Sequence, residues 1–141
     1  MEPSHIEHIG IAVSDLEASI ELYEKTFGLK CYKIEEIPDQ KVRTAFFRVG
    51  QTKIELLEST DAEGTIGKFI QKRGEGIHHI AFAVKDIEKQ LQHAEENGAV
   101  LIDRSARKGA DDLDIAFIHP KSTSGVLIEI CEDKTNNLTQ S

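Results

Sequence analysis

The chain has 141 residues, 39% hydrophobic and 30% charged, the balance of a folded globular protein with a sizeable core. Its formal net charge of −8 argues against a nucleic-acid partner, which needs a basic face for phosphates. No apolar run approaches the roughly 18–20 residues of a membrane span, and the opening Met-Glu-Pro-Ser-His reads as no signal peptide.

Residues 6–13 read as a short buried strand. Ser14, with Glu17 three residues on, has the spacing of a capping box, so a helix is expected to start there. Leu16, Ile20, Tyr23 and Phe27 give that helix an apolar stripe, and Gly28 closes it. Residues 29–37 read as a strand and Pro38-Asp39 as a turn. Strands over 42–49 and 52–58 form a hairpin through Gly50-Gln51. The connection that follows, through residue 76, holds a short helix around Ile66, Phe69 and Ile70, ended by glycines.

The order then repeats. A strand is expected over 78–84, a helix over 86–97, and strands over 99–103, 114–119 and 125–132; the polar tail 133–141 reads as frayed. The repeat is visible in the residues themselves. His-Ile-Gly-Ile-Ala-Val at 8–13 returns as His-Ile-Ala-Phe-Ala-Val at 79–84, an offset of 79 − 8 = 71. Ile-Glu-Leu-Leu-Glu at 54–58 returns as Ile-Glu-Ile-Cys-Glu at 128–132, an offset of 129 − 55 = 74. Three extra residues must lie in the second half, and the stretch from Arg107 to Asp112 is the expected place. The fold class is therefore α+β: two pseudo-symmetric βαβββ modules, about 6–58 and 77–132, in a single domain spanning 1–141 with one curved mixed sheet.

The repeat pairs His8 with His79 and Glu55 with Glu129. Each is commonplace alone: a strand histidine is often a core residue, and a glutamate between apolar neighbours often faces water. In register across a repeat, two imidazoles and two carboxylates suit a divalent ion such as Zn, Co, Ni, Mn or Mg, with positions left for substrate. His78 should face the opposite side of its strand from His79. His119 stands at a strand end, and His5 and His93 read as surface residues. Cys31 and Cys131, without metal-type spacing, read as reduced thiols of a cytoplasmic protein.

The βαβββ repeat and its His/Glu/His/Glu pattern resemble the vicinal oxygen chelate superfamily. More narrowly, residues 8–13, the run Gly74-Glu75-Gly76-Ile77-His78-His79-Ile80-Ala81-Phe82, and His119-Pro120-Lys121-Ser122 followed by Gly125-Val126-Leu127-Ile128-Glu129 resemble the methylmalonyl-CoA epimerase family, over residues 6 to 132. The resemblance implies that His8, Glu55, His79 and Glu129 hold a divalent metal ion around which the sheet curves, cobalt being favoured. It implies an isomerase that epimerises methylmalonyl-CoA at C2 through an enediolate, with Glu129 as a catalytic base, and a homodimer. Many members carry Gln where Glu55 stands, and some carry Glu where Thr44 stands. Thr44 cannot serve as a base near neutral pH, so the proton donor for the opposite face of C2 falls to a water on the metal or to Asp112. Lys121, Ser122, Gly109 and Ala110 are the candidates for substrate binding, and Arg104, Arg107 and Lys108, with Lys121, for the phosphates of coenzyme A.

Two rival readings share the fold. A glyoxalase I-type lyase uses the same ligand set, but the arginine expected four residues after its first ligand is replaced here by Ala12. A non-enzymatic ligand-binding module commonly lacks such a quartet.

Overall fold

The computed structural model describes residues 2–135. The chain divides into two compact units: His8–His78, and the opening residues up to Glu7 together with the chain from His79 onward. Strands β1 (His5–Ala12) and β5 (Gly76–Ala83) each contribute residues to both units. No helix among the described residues is long and apolar enough to cross a membrane.

In the first unit β1 leads into α1 (Leu16–Phe27), then β2 (Lys33–Ile37), β3 (Val42–Val49), β4 (Thr52–Ser59) and α2 (Thr65–Arg73). The strands lie in the order β2-β3-β4-β1. β4 runs parallel to β1 and antiparallel to β3, which is antiparallel to β2. Side chains alternate between faces along a strand. One face gives Val13, Ala45, Phe47 and Leu56 to a core closed by Leu16, Ile20 and Tyr23 of α1. On the other, Ala12, Val42 and Leu57 pack under Ile66, Phe69 and Ile70 of α2.

Helix α1 starts one residue later than the sequence pattern indicates. The N-cap is Asp15, whose carboxylate accepts from the Ala18 N–H at 3.1 Å. Ser14 donates its backbone N–H to Glu75 instead. Glu17 reaches Arg43 at 2.7 Å rather than closing a capping box. Asp15 has the charged acceptor that the positive helix end favours. Gly28 ends the helix in the left-handed region, φ 70°, as its place predicts. The strand expected over 29–37 is shorter, beginning at Lys33.

In the second unit β5 leads into α3 (Ile87–Glu96), β6 (Arg107–Lys108), β7 (Asp114–Ile118) and β8 (Ile128–Glu132). The order is β5-β8-β7-β6, with β5 parallel to β8 and the other pairs antiparallel. This is the first unit's pattern again, so the expected βαβββ repeat and α+β class hold. Asp86 caps α3 as Asp15 caps α1. Ala116, Ile118 and Ile130 pack against Ile87 and Leu91 of α3 on one face; Ala81, Leu113, Ile115 and Cys131 cluster on the other.

Two expectations need correction here. Residues 99–103 are no strand: Leu101 makes a single bridge to Ile118, and the edge strand is Arg107–Lys108, which no apolar signal marks. The three extra residues are not at 107–112 either. Phe46 faces Glu55, and Phe117 faces Glu129. The offset is still 117 − 46 = 71 at the phenylalanines and becomes 129 − 55 = 74 at the glutamates. The insertion therefore lies in the β7–β8 connection, whose 3₁₀ turn Pro120–Ser122 stands where the first module has a tight hairpin. Most of the expected tail, 136–141, lies outside the described residues.

Candidate active site

The site is built from strand parity. On β4, Glu55 and Glu58 are three residues apart, so they leave opposite faces. Glu58 turns to the helix side, where Oε2 accepts the Leu16 N–H at 2.9 Å, an otherwise unpaired donor of α1. Glu132 does the same for Ile87 of α3 at 3.1 Å. Glu55 and Glu129 turn the other way.

In the first unit His8 and Glu55 meet, Nδ1 to Oε2 at 3.3 Å, both almost fully buried. In the second unit His79 and Glu129 meet, Nε2 to Oε1 at 3.3 Å, equally buried. Lone ionisable groups at such depth are costly, and pairing them with one another reduces that cost. A neutral imidazole nitrogen and a carboxylate oxygen at this separation are also the donors that a divalent ion takes. Each pair has a phenylalanine beside it. Phe46 lies opposite Glu55 in the β3–β4 ladder. Phe117 lies opposite Glu129, its ring edge-on to His79 with centroids 5.6 Å apart.

Other residues on these faces are not marked by the repeat. Lys53 shares the face of Glu55 two residues away, stands in register with His8, and is 3% exposed. Its Nζ lies 5.9 Å from the Phe46 ring centroid, and Lys33 Nζ lies 4.5 Å from the same ring. Period-two counting back from Glu55 would have found Lys53. Thr44, also on this face, is buried with its hydroxyl making no hydrogen bond.

Gly109 and Ala110 lie in the β6–β7 turn, and Lys121 and Ser122 in the β7–β8 turn. Gly109 packs under Ile115, where an added Cβ would come within 2.6 Å of a side-chain carbon. Its N–H donates to the Leu113 carbonyl and Ala110 accepts from Leu113, so this turn hydrogen-bonds within itself. Ser122 Oγ donates to the His119 carbonyl and accepts the Val100 N–H. The Lys121 N–H is taken by His119 Nδ1, and its side chain is exposed. Asp112 is exposed and lies 3.8 Å from Lys108. Arg104, Arg107 and Lys108 each have a carboxylate partner: Glu95 at 2.9 Å, Asp103 at 3.1 Å and Asp114 at 3.0 Å.

His78 packs edge-on against Phe69 of α2, His93 is exposed, and His5 is half-buried rather than on the surface. Asp15, Glu17 and Glu58 also bring ligand atoms together, but Arg43 binds Glu17 and Glu58, and Asp15 and Glu58 cap α1. That trio has a complete structural explanation.

A family model described as the Glyoxalase/Bleomycin resistance protein/Dioxygenase superfamily matches residues 7–117. The chain belongs to this superfamily. An uncharacterized protein of Bacillus subtilis is 42% identical over 93% of this chain and 94% of its own length. An ethylmalonyl-CoA/methylmalonyl-CoA epimerase of Cereibacter sphaeroides is 35% identical over 89% of this chain and 95% of its own. Among solved structures, a Streptomyces coelicolor methylmalonyl-CoA epimerase variant in complex with 2-nitronate-propionyl-CoA superimposes with a TM-score of 0.90 at 34% identity, covering 94% of this chain and 96% of that one.

Proposed function

We propose that the protein is an isomerase that epimerises methylmalonyl-CoA at C2, using a divalent metal ion held by His8, Glu55, His79 and Glu129. The observation that carries this reading is the buried histidine–glutamate pair, present once in each module at 3.3 Å. The epimerases among its relatives support the substrate. A donor set of two imidazoles and two carboxylates fits a divalent first-row ion, cobalt among them.

The chemistry asks for little else. The C2 proton of a malonyl thioester is a weak acid, and its removal leaves an enediolate. When bound, the metal ion supplies positive charge against the enediolate oxygens as that charge develops. Glu129 takes the C2 proton from one face; its return by Glu129 would restore the starting epimer, so inversion needs a proton donor on the opposite face of C2. Glu129 is buried beside Phe117 and His79. Exclusion of water protects the enediolate from stray protonation. Thr44 leaves the first module without a second carboxylate of this kind on its face.

The same reading includes a homodimer, supported by the exposed apolar residues Leu22, Phe27, Ile34 and Val49. It includes a cytoplasmic setting, supported by Cys31 and Cys131 being free thiols.

The test is isotopic. In D₂O, methylmalonyl-CoA should gain deuterium at C2 while its stereocentre scrambles, and EDTA should stop both. A metal-replete sample that exchanges no C2 proton would end the proposal. Methylglyoxal with glutathione, assayed in parallel, reads out the lyase alternative.

A further inference from the structure

We propose that the Thr44 hydroxyl donates a hydrogen bond to an acyl-group oxygen of the substrate and steadies the charge that develops there when C2 loses its proton. This rests on the epimerase reading and adds to it a substrate-binding residue in the first module.

Thr44 is fully buried, at 0% exposure, and its hydroxyl makes no hydrogen bond. A buried hydroxyl nearly always finds a partner, because leaving it unpaired is destabilising. Valine has the same shape without that penalty, and by offset the second module has the aliphatic Ile115 here. The partner that answers the Thr44 hydroxyl is therefore a ligand, and the register says where it lies. In the β3–β4 ladder Thr44 stands opposite Leu57 and Phe46 opposite Glu55, so all four share one face. Thr44 and Glu55 are diagonal neighbours, a relation that spans about 7–8 Å. A ligand held at Glu55 has Thr44 at its side. A β-branched side chain on a strand is stiff about χ1, so the hydroxyl is aimed before any ligand arrives. On the β2 side, Glu35 is the ladder partner of Thr44 and Lys33 that of Phe46. These two form an ion pair at 3.6 Å, about one-third exposed. Such a pair contributes little to stability, and an entering ligand can draw its long side chains aside.

The chemistry of the ligand sets the direction of the bond. A threonine hydroxyl has one hydrogen to give and lone pairs to accept with. The reacting end of a malonyl thioester carries a carbonyl and a carboxylate, neither of which has a hydrogen to donate. Thr44 is therefore the donor. Loss of the C2 proton spreads negative charge onto the carbonyl oxygen, so the bond is stronger in the transition state than in the bound substrate.

The test uses metal-replete protein and three measurements: deuterium exchange at C2 of methylmalonyl-CoA, binding of malonyl-CoA by calorimetry, and the melting temperature without ligand. Thr44→Val keeps the shape and removes the O–H; Thr44→Ser keeps the O–H and removes the methyl group. The valine variant should lose about 10- to 100-fold in kcat/KM for exchange. It should bind malonyl-CoA more weakly by a smaller factor, and melt no lower than the unmodified protein. The serine variant should recover most of the exchange. Undiminished exchange in Thr44→Val overturns the proposal. So does a serine variant as slow as the valine one, which assigns the effect to packing of the methyl group. A valine variant that melts lower, or does not fold, overturns it as well, because the hydroxyl then has its partner in the free protein. A loss in malonyl-CoA binding as large as the loss in exchange overturns the strengthening of the bond as charge develops. Unmodified protein that neither binds malonyl-CoA nor exchanges the C2 proton overturns the epimerase reading itself, and Thr44 with it. Unmodified protein that exchanges normally, beside a valine variant that does the same, overturns Thr44 alone.

Discussion

The two modules hold the same frame and dress it differently. Each has a buried histidine on its first strand, a glutamate facing it from the last strand, and a phenylalanine across the ladder. Each caps its helix with an aspartate and a strand glutamate. Around this frame they diverge. His8 meets its glutamate through Nδ1, His79 through Nε2. The first module adds Lys53 and Thr44; their counterparts by offset are Leu127 and Ile115. On the proposed function, what is shared suits a repeated fold and a divalent ion, and what differs is where substrate recognition and proton transfer would be divided between the modules.

Breaking the pairs one at a time should show that division. Glu129→Gln should lower turnover by about 10²–10⁴-fold while most metal is retained. Glu55→Gln should lower it far less, because in this division Glu55 holds the ion and moves no proton. Turnover and metal content measured together check both, and equal losses would erase the distinction between the modules.

The glycines give the next largest contrast, now in stability. A Cβ on Gly67 would meet the Ala62 backbone at 2.7 Å, which cannot move aside easily. On Gly109 it would meet the Ile115 side chain at 2.6 Å, which can shift. Gly67→Ala should cost about 2–3 kcal/mol and Gly109→Ala about 1 kcal/mol, read from denaturant midpoints. The caps should be alike: Asp15→Ala and Asp86→Ala each cost about 1 kcal/mol, and a large inequality would mean that Glu58 and Glu132 do not share the work equally.

Thr44→Val should do the reverse and raise the melting temperature by about 3 °C. It removes a buried hydroxyl that has no hydrogen-bond partner and makes the position aliphatic like Ile115. A lower melting temperature would show that the hydroxyl is satisfied in solution.

The smallest effect is in acid. The hydrogen bond from Arg43 holds the Glu17 carboxyl below its ordinary value. Its contribution is present above the ordinary carboxylate range and fades as pH falls through the lowered value. Arg43→Gln should therefore reduce stability at neutral pH and make no difference in strong acid, as urea titrations at several pH values would record.

The frame was legible in the chain because it depends on alternation and on a repeat, both properties of residue order. His8, His79, Glu55 and Glu129 stand in register, and their burial follows from the apolar neighbours that strand alternation places around them. The helix starts were harder to read. Ser14 and Asp15 are both good caps, and the choice was made by Glu58 and Glu75, each more than 40 residues away. The run Ala99-Val100-Leu101-Ile102 carries strand-like residues but pairs only once. Arg107–Lys108 carries none and pairs fully, because an edge strand needs only a ladder partner. Lys53 went unread for a related reason. A lysine two places from a glutamate looks like a solvated strand face until the register shows which face is buried.

One strand feature has a bearing on how such a chain can vary. Glu55 and Glu58 are three residues apart, as are Glu129 and Glu132, so each last strand holds a metal-type donor on one side and a helix end on the other. A single residue gained or lost between them would turn one of the two carboxylates to the wrong side. Length can change only where no strand is being counted. The three residues by which the modules differ sit in such a place, the turn that carries Lys121 and Ser122. The two frames are equal in length, and the turn outside them is the place where the chain can change length without turning a carboxylate to the wrong face.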